Sequence, residues 1–210
     1  MIKLICFDLW NTLASKKTNF TAHATDELIK SFKLKLPKQK VVKIFEETIQ
    51  TKYWEVEYEA YKQLAINLEI NPTKDNVLKI MQVRQSFENA IELYSFTIPL
   101  LTKLKSNGYK IGLISNSSVF VYDQVKQTSL LELIDYPIFS YMLNAIKPDP
   151  IMFLEMQRLS NITNPKEIIM IGDNLFDDIN PAKELAWNTI HFDGDYKSLE
   201  KELKKLDVKI

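Results

Sequence analysis

Five short apolar runs, each followed by a polar or small residue, constrain the fold of this chain most: Leu4-Ile-Cys-Phe7, Lys110-Ile-Gly-Leu-Ile114, Tyr136-Pro-Ile-Phe139, Ile168-Ile-Met-Ile171 and Thr189-Ile-His-Phe192. A strand with one wet face alternates polar and apolar side chains, whereas nearly continuous hydrophobicity suits a strand buried on both faces. Helical patterns separate the later runs, which predicts a parallel α/β sheet with right-handed crossovers. In such sheets ligands sit at the carboxyl ends of the strands. Asp8, Ser115, Asp173 and Asp193 all follow their strands at that edge.

Between Ser15 and Leu93 the strand-like runs vanish and helical periodicity takes over, which predicts an inserted helical unit. Helices are expected over 18–34, 38–70 and 73–93, with Pro37 and Asn71-Pro72 as breaks, Thr73 as a capping residue, and room for two helices in the long middle stretch. The expected division is therefore a core of 1–14 and 94–210 and a helical cap of 15–93. A core helix over Thr97–Asn107 should stop at Gly108, which can take the left-handed backbone that helix ends favour. The lysine-rich stretch Ser198–Leu206 reads as a solvated terminal helix.

Composition excludes several classes of function. With 46% hydrophobic and 26% charged residues in 210, the chain has the balance of a soluble globular protein. No segment reaches the roughly 18 uninterrupted apolar residues of a membrane span. Twenty-seven basic residues balance 27 acidic ones, so no global field recruits nucleic acid or an anionic membrane. The first apolar stretch is closed too soon by Asp8 for a signal peptide, and a cytoplasmic location is expected. Cys6 is the only cysteine, cannot form an internal disulfide, and reads as a buried structural thiol.

Four stretches carry candidate chemistry. Asp8 closes a strand and is followed by Leu9-Trp10-Asn11-Thr12-Leu13; alone it would read as a capping or turn aspartate. Leu113-Ile-Ser115-Asn116-Ser117 places hydroxyls and amides after a second strand, a set able to hold the oxygens of a tetrahedral anion. Ala145-Ile-Lys147-Pro148-Asp149-Pro150 sets one lysine in a proline-fixed loop before a helix. Ile169-Met-Ile-Gly172-Asp173-Asn174, with Asp177 and Asp178 beyond, gathers carboxylates of the kind a hard Mg2+ ion accepts.

In order and spacing these stretches resemble the four motifs of the haloacid dehalogenase-like hydrolases, and the resemblance extends through the connecting helices to Pro181-Ala-Lys183. It implies a Rossmann-like α/β core, and the helical insertion resembles the cap of the family's haloacid dehalogenase and small-phosphatase branch. By this resemblance Asp8 is the nucleophile, Ser115 and Asn116 hold the phosphate, and Lys147 neutralises developing charge. Mg2+ would be held by Asp8, Asp173 and the backbone carbonyl of Trp10, with Thr12, Asn174, Asp177 and Asp178 supporting the site. The implied partner is a small, phosphorylated substrate.

The chain departs from the family at Trp10. Phosphatases of the family carry a second aspartate there, two residues after the nucleophile, which protonates the leaving group and later activates water. Proton transfer of this kind contributes about 10²–10⁴-fold. Three readings stay open: a phosphatase with a reduced or relocated acid and base, a 2-haloacid dehalogenase, and a catalytically weak phosphate-binding or regulatory protein. Dehalogenases of the family carry an aromatic residue at this position, since halide leaves without a proton, and Asn174 followed by Asp177 echoes their fourth motif. They also use an arginine early in the cap, and the only arginines here are Arg84 and Arg158. Gly172-Asp173 keeps the phosphatase pattern.

In the cap, Tyr53, Trp54, Tyr58 and Tyr61 cluster, with Trp54, Tyr58 and Tyr61 spaced for one helix face. Core packing is the first reading, and a lid over Asp8 the second. His23 and His191 lack metal-ligand spacing to other candidates, although His23 could reach the cleft from the first cap helix. The sequence names neither the particular substrate nor the oligomeric state.

Overall fold

The computed structural model describes residues 1–15, 20–85 and 91–210. Strands β1 (Leu4–Phe7), β4 (Lys110–Ser115), β5 (Tyr136–Phe139), β6 (Ile168–Gly172) and β7 (Asn188–His191) form one parallel sheet in the order β5-β4-β1-β6-β7. Two-residue strands β2 (Ala14–Ser15) and β3 (Glu92–Leu93) pair antiparallel where the chain leaves and re-enters this unit.

Register explains the continuous hydrophobicity of the strands. Leu4 and Cys6 lie beside Ile168 and Met170, and this face is covered by Met152, Phe153 and Met156 of helix α9 (Pro150–Ser160) and by Ala182 and Trp187. Ile5 and Phe7, beside Ile169 and Ile171, point the other way, onto Leu100, Leu101 and Leu104 of α5 (Thr97–Ser106) and Leu199 and Leu203 of α11 (Tyr196–Lys205). Successive side chains thus feed opposite layers, giving a three-layer α/β/α stack. Cys6 is fully buried, and burial pushes its thiol well above the usual range, as expected of a structural residue. Gly108 ends α5 with φ of +87°.

The chain runs from β1 outward to β4 and β5, then returns to β6 on the other side of β1. That reversal opens a crevice at the carboxyl ends of β1 and β6. Asp8 and Asp173 stand at its lips, and the amide of Asp8 extends the ladder by donating to the Ile171 carbonyl at 2.9 Å.

A second apolar cluster belongs to helices α1 (Phe20–Phe32), α2 (Lys38–Phe45), α3 (Glu57–Asn67) and α4 (Lys74–Gln85), through Leu28, Val41, Phe45, Tyr61, Leu64, Val77 and Ile80. The stretch 38–70 is two helices. After α2 the chain makes a wide turn over Glu46–Gln50 and breaks before Glu57, with the Trp54 indole donating to the Thr48 carbonyl at 2.9 Å. Thr73 caps α4 by accepting from the Asn76 amide. Among the described residues, no helix is long and apolar enough to cross a membrane.

Candidate active site

The floor of the crevice is a buried charge triad. Lys147 Nζ lies 2.6 Å from Asp8 Oδ1 and 2.5 Å from Asp178 Oδ1, and all three residues are at most 5% exposed. Burial alone would lower the Lys147 ammonium, but Asp8 and Asp178 outweigh it and raise its pKa, so it stays charged. Burial pushes the Asp8 carboxyl up to about 7; Lys147 opposes that push, and Asp178 and Asp173 add to it.

Each member is placed by its own local device. The loop of Lys147 is clasped by Asn116, whose side-chain oxygen accepts from the Lys147 amide at 2.7 Å while its Nδ2 donates to the Lys147 carbonyl at 3.1 Å. Asp178 lies in a turn over Leu175–Ile179 capped by Asn174, whose Oδ1 accepts from the amides of Phe176 and Asp177 and whose own amide donates to Asp178 Oδ2. A Cβ on Gly172 would lie 2.3 Å from the Asp178 carboxylate, so only glycine lets β6 end this close to it. Asn174 Nδ2 also donates to Asp177 at 2.6 Å.

Asp173 points across the crevice and accepts from Asn11 Nδ2 at 3.1 Å. Asn11 takes the left-handed backbone, φ +59°, which asparagine tolerates. Burial raises the carboxyls of both Asp173 and Asp177 above their ordinary range. A ring nitrogen of His191 lies 2.9 Å from the Asp173 carbonyl, so this histidine borders the site from β7. Asp193, at the same sheet edge, instead accepts from the Asp195 amide.

Ser115 ends β4, fully buried, with its hydroxyl 2.8 Å from that of Ser117. Ser117 Oγ also accepts from the Trp10 indole at 3.1 Å, so Trp10 is tied to the β4 loop. The hydroxyl of Ser140, at the start of α8 (Ser140–Leu143), accepts from the Ser117 amide at 2.9 Å and donates to the Gln50 carbonyl at 2.7 Å. This single buried serine joins the β4 loop to the turn after α2. Thr12 is buried, but its hydroxyl has no hydrogen-bond partner among the described residues, so the structure gives it no bond to the site.

The triad, Trp10, Asn11, Asn116, Asp173, Asn174 and Asp177 line one cleft of about 170 Å³ together with Phe45, Glu46 and Gln50, whereas Ser115 lies buried behind it. Drug-sized sites run to about 300–1,000 Å³, so the cleft suits a small substrate. Its far wall was not anticipated. The aromatic cluster does not form it: Tyr61 is buried in the helical core, Tyr53 is 67% exposed, and Trp54 precedes α3, so it shares no helix face with Tyr58 and Tyr61. The wall is instead Phe45, with the Arg84 guanidinium 3.7 Å from its ring centroid, followed by Glu46 and Gln50. No spacing rule marks a wide turn in advance; the polar Glu46-Glu-Thr-Ile-Gln50 inside a helical pattern is the only trace of it. The side chain of His23 lies outside the described residues.

The family model for haloacid dehalogenase-like hydrolases matches residues 2–185. The chain belongs to the haloacid dehalogenase-like hydrolase family. A glyceraldehyde 3-phosphate phosphatase of Pyrococcus furiosus is 30% identical over 107 residues, 50% of this chain and 44% of that protein. The chain thus spans less than half the length of the curated relatives it matches. A phosphatase of the family from Thermococcus onnurineus superposes with a TM-score of 0.62 at 24% identity, covering 99% of both chains. A family enzyme of Bacteroides thetaiotaomicron, solved with magnesium and inorganic phosphate, superposes with a TM-score of 0.68 at 18% identity, covering 95% of this chain and 99% of that one.

The donor set of this family member fits a hard divalent cation. Carboxylate oxygens of Asp8, Asp173 and Asp178 lie within 4.8 Å of one another, and Lys147 alone cannot balance three negative charges. Burial raises the carboxyls of Asp8 and Asp173, and neighbouring carboxylates add to the push. Asp178 has both oxygens engaged, by Lys147 and by the Asn174 amide, which leaves Asp8 and Asp173 as the ligands on offer.

Proposed function

We propose that the chain is a Mg2+-dependent phosphatase acting on a small phosphorylated metabolite through Asp8 as nucleophile. The observation that carries this reading is the buried Asp8–Lys147–Asp178 triad beside Asp173, at the switch point of the sheet. A carboxylate attacking an anionic phosphoryl group must overcome charge repulsion, and preorganised cations in a dry site relieve it.

Asp8 forms a bond to phosphorus as the ester oxygen departs, giving an aspartyl phosphate that water then hydrolyses. Lys147 sits where charge develops on the phosphoryl oxygens, and Asp178 keeps it aimed. The Ser115 hydroxyl and the amides of its loop would receive the remaining oxygens, while the Asn116 side chain serves by clasping the lysine loop. Asp8, Asp173 and the Trp10 carbonyl would hold Mg2+, which when bound neutralises and orients the phosphate. The phosphatase name of the Pyrococcus relative and the magnesium and phosphate of the Bacteroides structure support this reading. We propose residues 15–93 as the cap, closing over the cleft and excluding water.

Trp10 favours the dehalogenase as the second reading, because its indole is bonded to Ser117 and offers no acid. Against it, Arg84 is buried against Phe45, and Arg158 is held by Glu155 on the outer face of α9 in the core, so neither stands as the cap arginine that reading needs. Turnover of 4-nitrophenyl phosphate with and without Mg2+, run beside halide release from 2-chloropropionate, decides between them. Magnesium-dependent nitrophenol release with no halide release is expected; halide release alone would replace this reading with the second.

A further inference from the structure

Each carboxylate at the floor of the cleft has at least one oxygen held by a fixed donor. Lys147 holds Asp8 Oδ1 at 2.6 Å, and Lys147 and the Asn174 amide between them take both oxygens of Asp178. Asp173 receives its donor from across the crevice, where Asn11 Nδ2 lies 3.1 Å from its Oδ2. An ionised carboxylate can only accept, so this contact fixes which end of the Asn11 amide faces it.

The backbone is built to bring that amide there. After β1 the chain closes a tight turn, in which the amides of Leu13 and Ala14 both donate to the Leu9 carbonyl at 2.9 Å and the Asn11 amide donates to the Ala14 carbonyl at 2.7 Å. Asn11 takes φ +59° in this turn, a conformation that glycine would adopt at least as readily. What asparagine adds over glycine is the side-chain amide, and it lands on Asp173. Since β1 and β6 are neighbours in the sheet, the bond ties the loop after one strand to the loop after the other, and both residues line the cleft.

We propose that Asn11 is a positioning residue for the metal site, holding Asp173 so that it offers a cation one oxygen and thereby favouring Mg2+ over Ca2+. The proposal rests on the metal reading above. Mg2+ demands a nearly octahedral shell with ligands at about 2.0–2.1 Å, whereas Ca2+ takes about six to eight oxygens at about 2.3–2.6 Å and accepts both oxygens of one carboxylate. With Oδ2 of Asp173 engaged by Asn11 and Oδ1 of Asp8 by Lys147, each of these two carboxylates has one oxygen outside the bonds described. That set suits the smaller and stricter ion. Without Asn11, Asp173 is free to turn both oxygens to a larger one.

Asn11→Gly tests this, because glycine keeps the left-handed turn and removes the amide. Calorimetry on the whole chain should show Mg2+ affinity falling about 10–100-fold, the usual size for losing a hydrogen-bond partner of a metal ligand. Ca2+ affinity should fall less or rise, so the wild-type preference for Mg2+ narrows, while the melting temperature in EDTA stays near that of the wild type. A purely structural role would lower both affinities by the same factor. Should Asn11→Gly melt lower than the wild type, Asn11→Asp keeps the shape and the turn but sets an acceptor against Asp173. It should narrow the same ratio, whatever its added charge does to the two affinities together. Equal loss for both ions, no loss for either, or a wild-type protein that binds Ca2+ as tightly as Mg2+ would overturn the proposal. A wild-type protein that binds neither ion would overturn the metal reading itself, and the proposal with it.

Discussion

The sheet core and the helical unit build the two walls of the cleft by opposite means. On the core side Asp8 and Asp173 follow strand ends and are brought together by sheet register, since β1 and β6 run side by side. On the helical side, the wall comes from an irregular turn between two short helices, tied to the core by the Ser140 hydroxyl and to its own unit by Trp54 and Asn67 through Thr48. Strand ends make a rigid floor for charge; the turn makes a wall whose position depends on few bonds. The two apolar clusters are separate, with Trp54 and Phe120 packed against both.

The largest expected effect strikes the floor. Lys147→Met leaves Asp8 and Asp178 buried without their cation, and removing one partner of such a group typically costs about 3–5 kcal/mol. Urea unfolding should show that loss together with abolished turnover. A loss under about 1 kcal/mol would mean the triad is solvated and the floor is no more rigid than the wall.

Leu64→Ala probes the helical cluster, where Leu64 is fully buried. The expected cost is about 2–5 kcal/mol, confined to α1–α4. Hydrogen exchange should quicken in α3 and α4 while amides of β1, β4 and β6 keep their protection. Equal loss of protection in the sheet would show that the two clusters unfold as one unit and would break the comparison.

A smaller effect sits at the joint. Ser140→Ala removes the bond to Gln50 and strips the Ser117 amide of its acceptor, with an expected cost of about 1–3 kcal/mol. Turnover should fall while magnesium affinity, measured by calorimetry, stays unchanged, because Asp8 and Asp173 are untouched. Weakened magnesium binding would show that the joint also shapes the floor.

Legibility in the sequence follows the same division. Asp8, Ser115 and Asp173 were readable because a strand buried on both faces writes an unbroken apolar run, and the first polar residue at its end lies at the carboxyl edge of the sheet; Lys147 was readable instead from its proline-fixed loop before a helix. The pairing of Asp178 with Lys147 and the clasp by Asn116 are long-range contacts that no local spacing encodes. Strands β2 and β3 are too short to leave a period, and the helix break after Gln50 is set by tertiary bonds rather than by proline or glycine. Aromatic residues drew attention in the helical unit because of their size, yet Tyr61 serves packing there while the smaller polar Glu46 and Gln50 face the cleft.

The central claim is that Asp8 takes the phosphoryl group, and chemical trapping tests it most directly. Protein mixed with Mg2+ and 4-nitrophenyl phosphate, quenched and reduced with borohydride, should carry homoserine at position 8, because borohydride reduces the acyl phosphate of an aspartate to the alcohol. Asp8→Asn, folded as the wild type, should show no modification and no turnover. Turnover without any modification at position 8, or full activity of Asp8→Asn, would contradict the account.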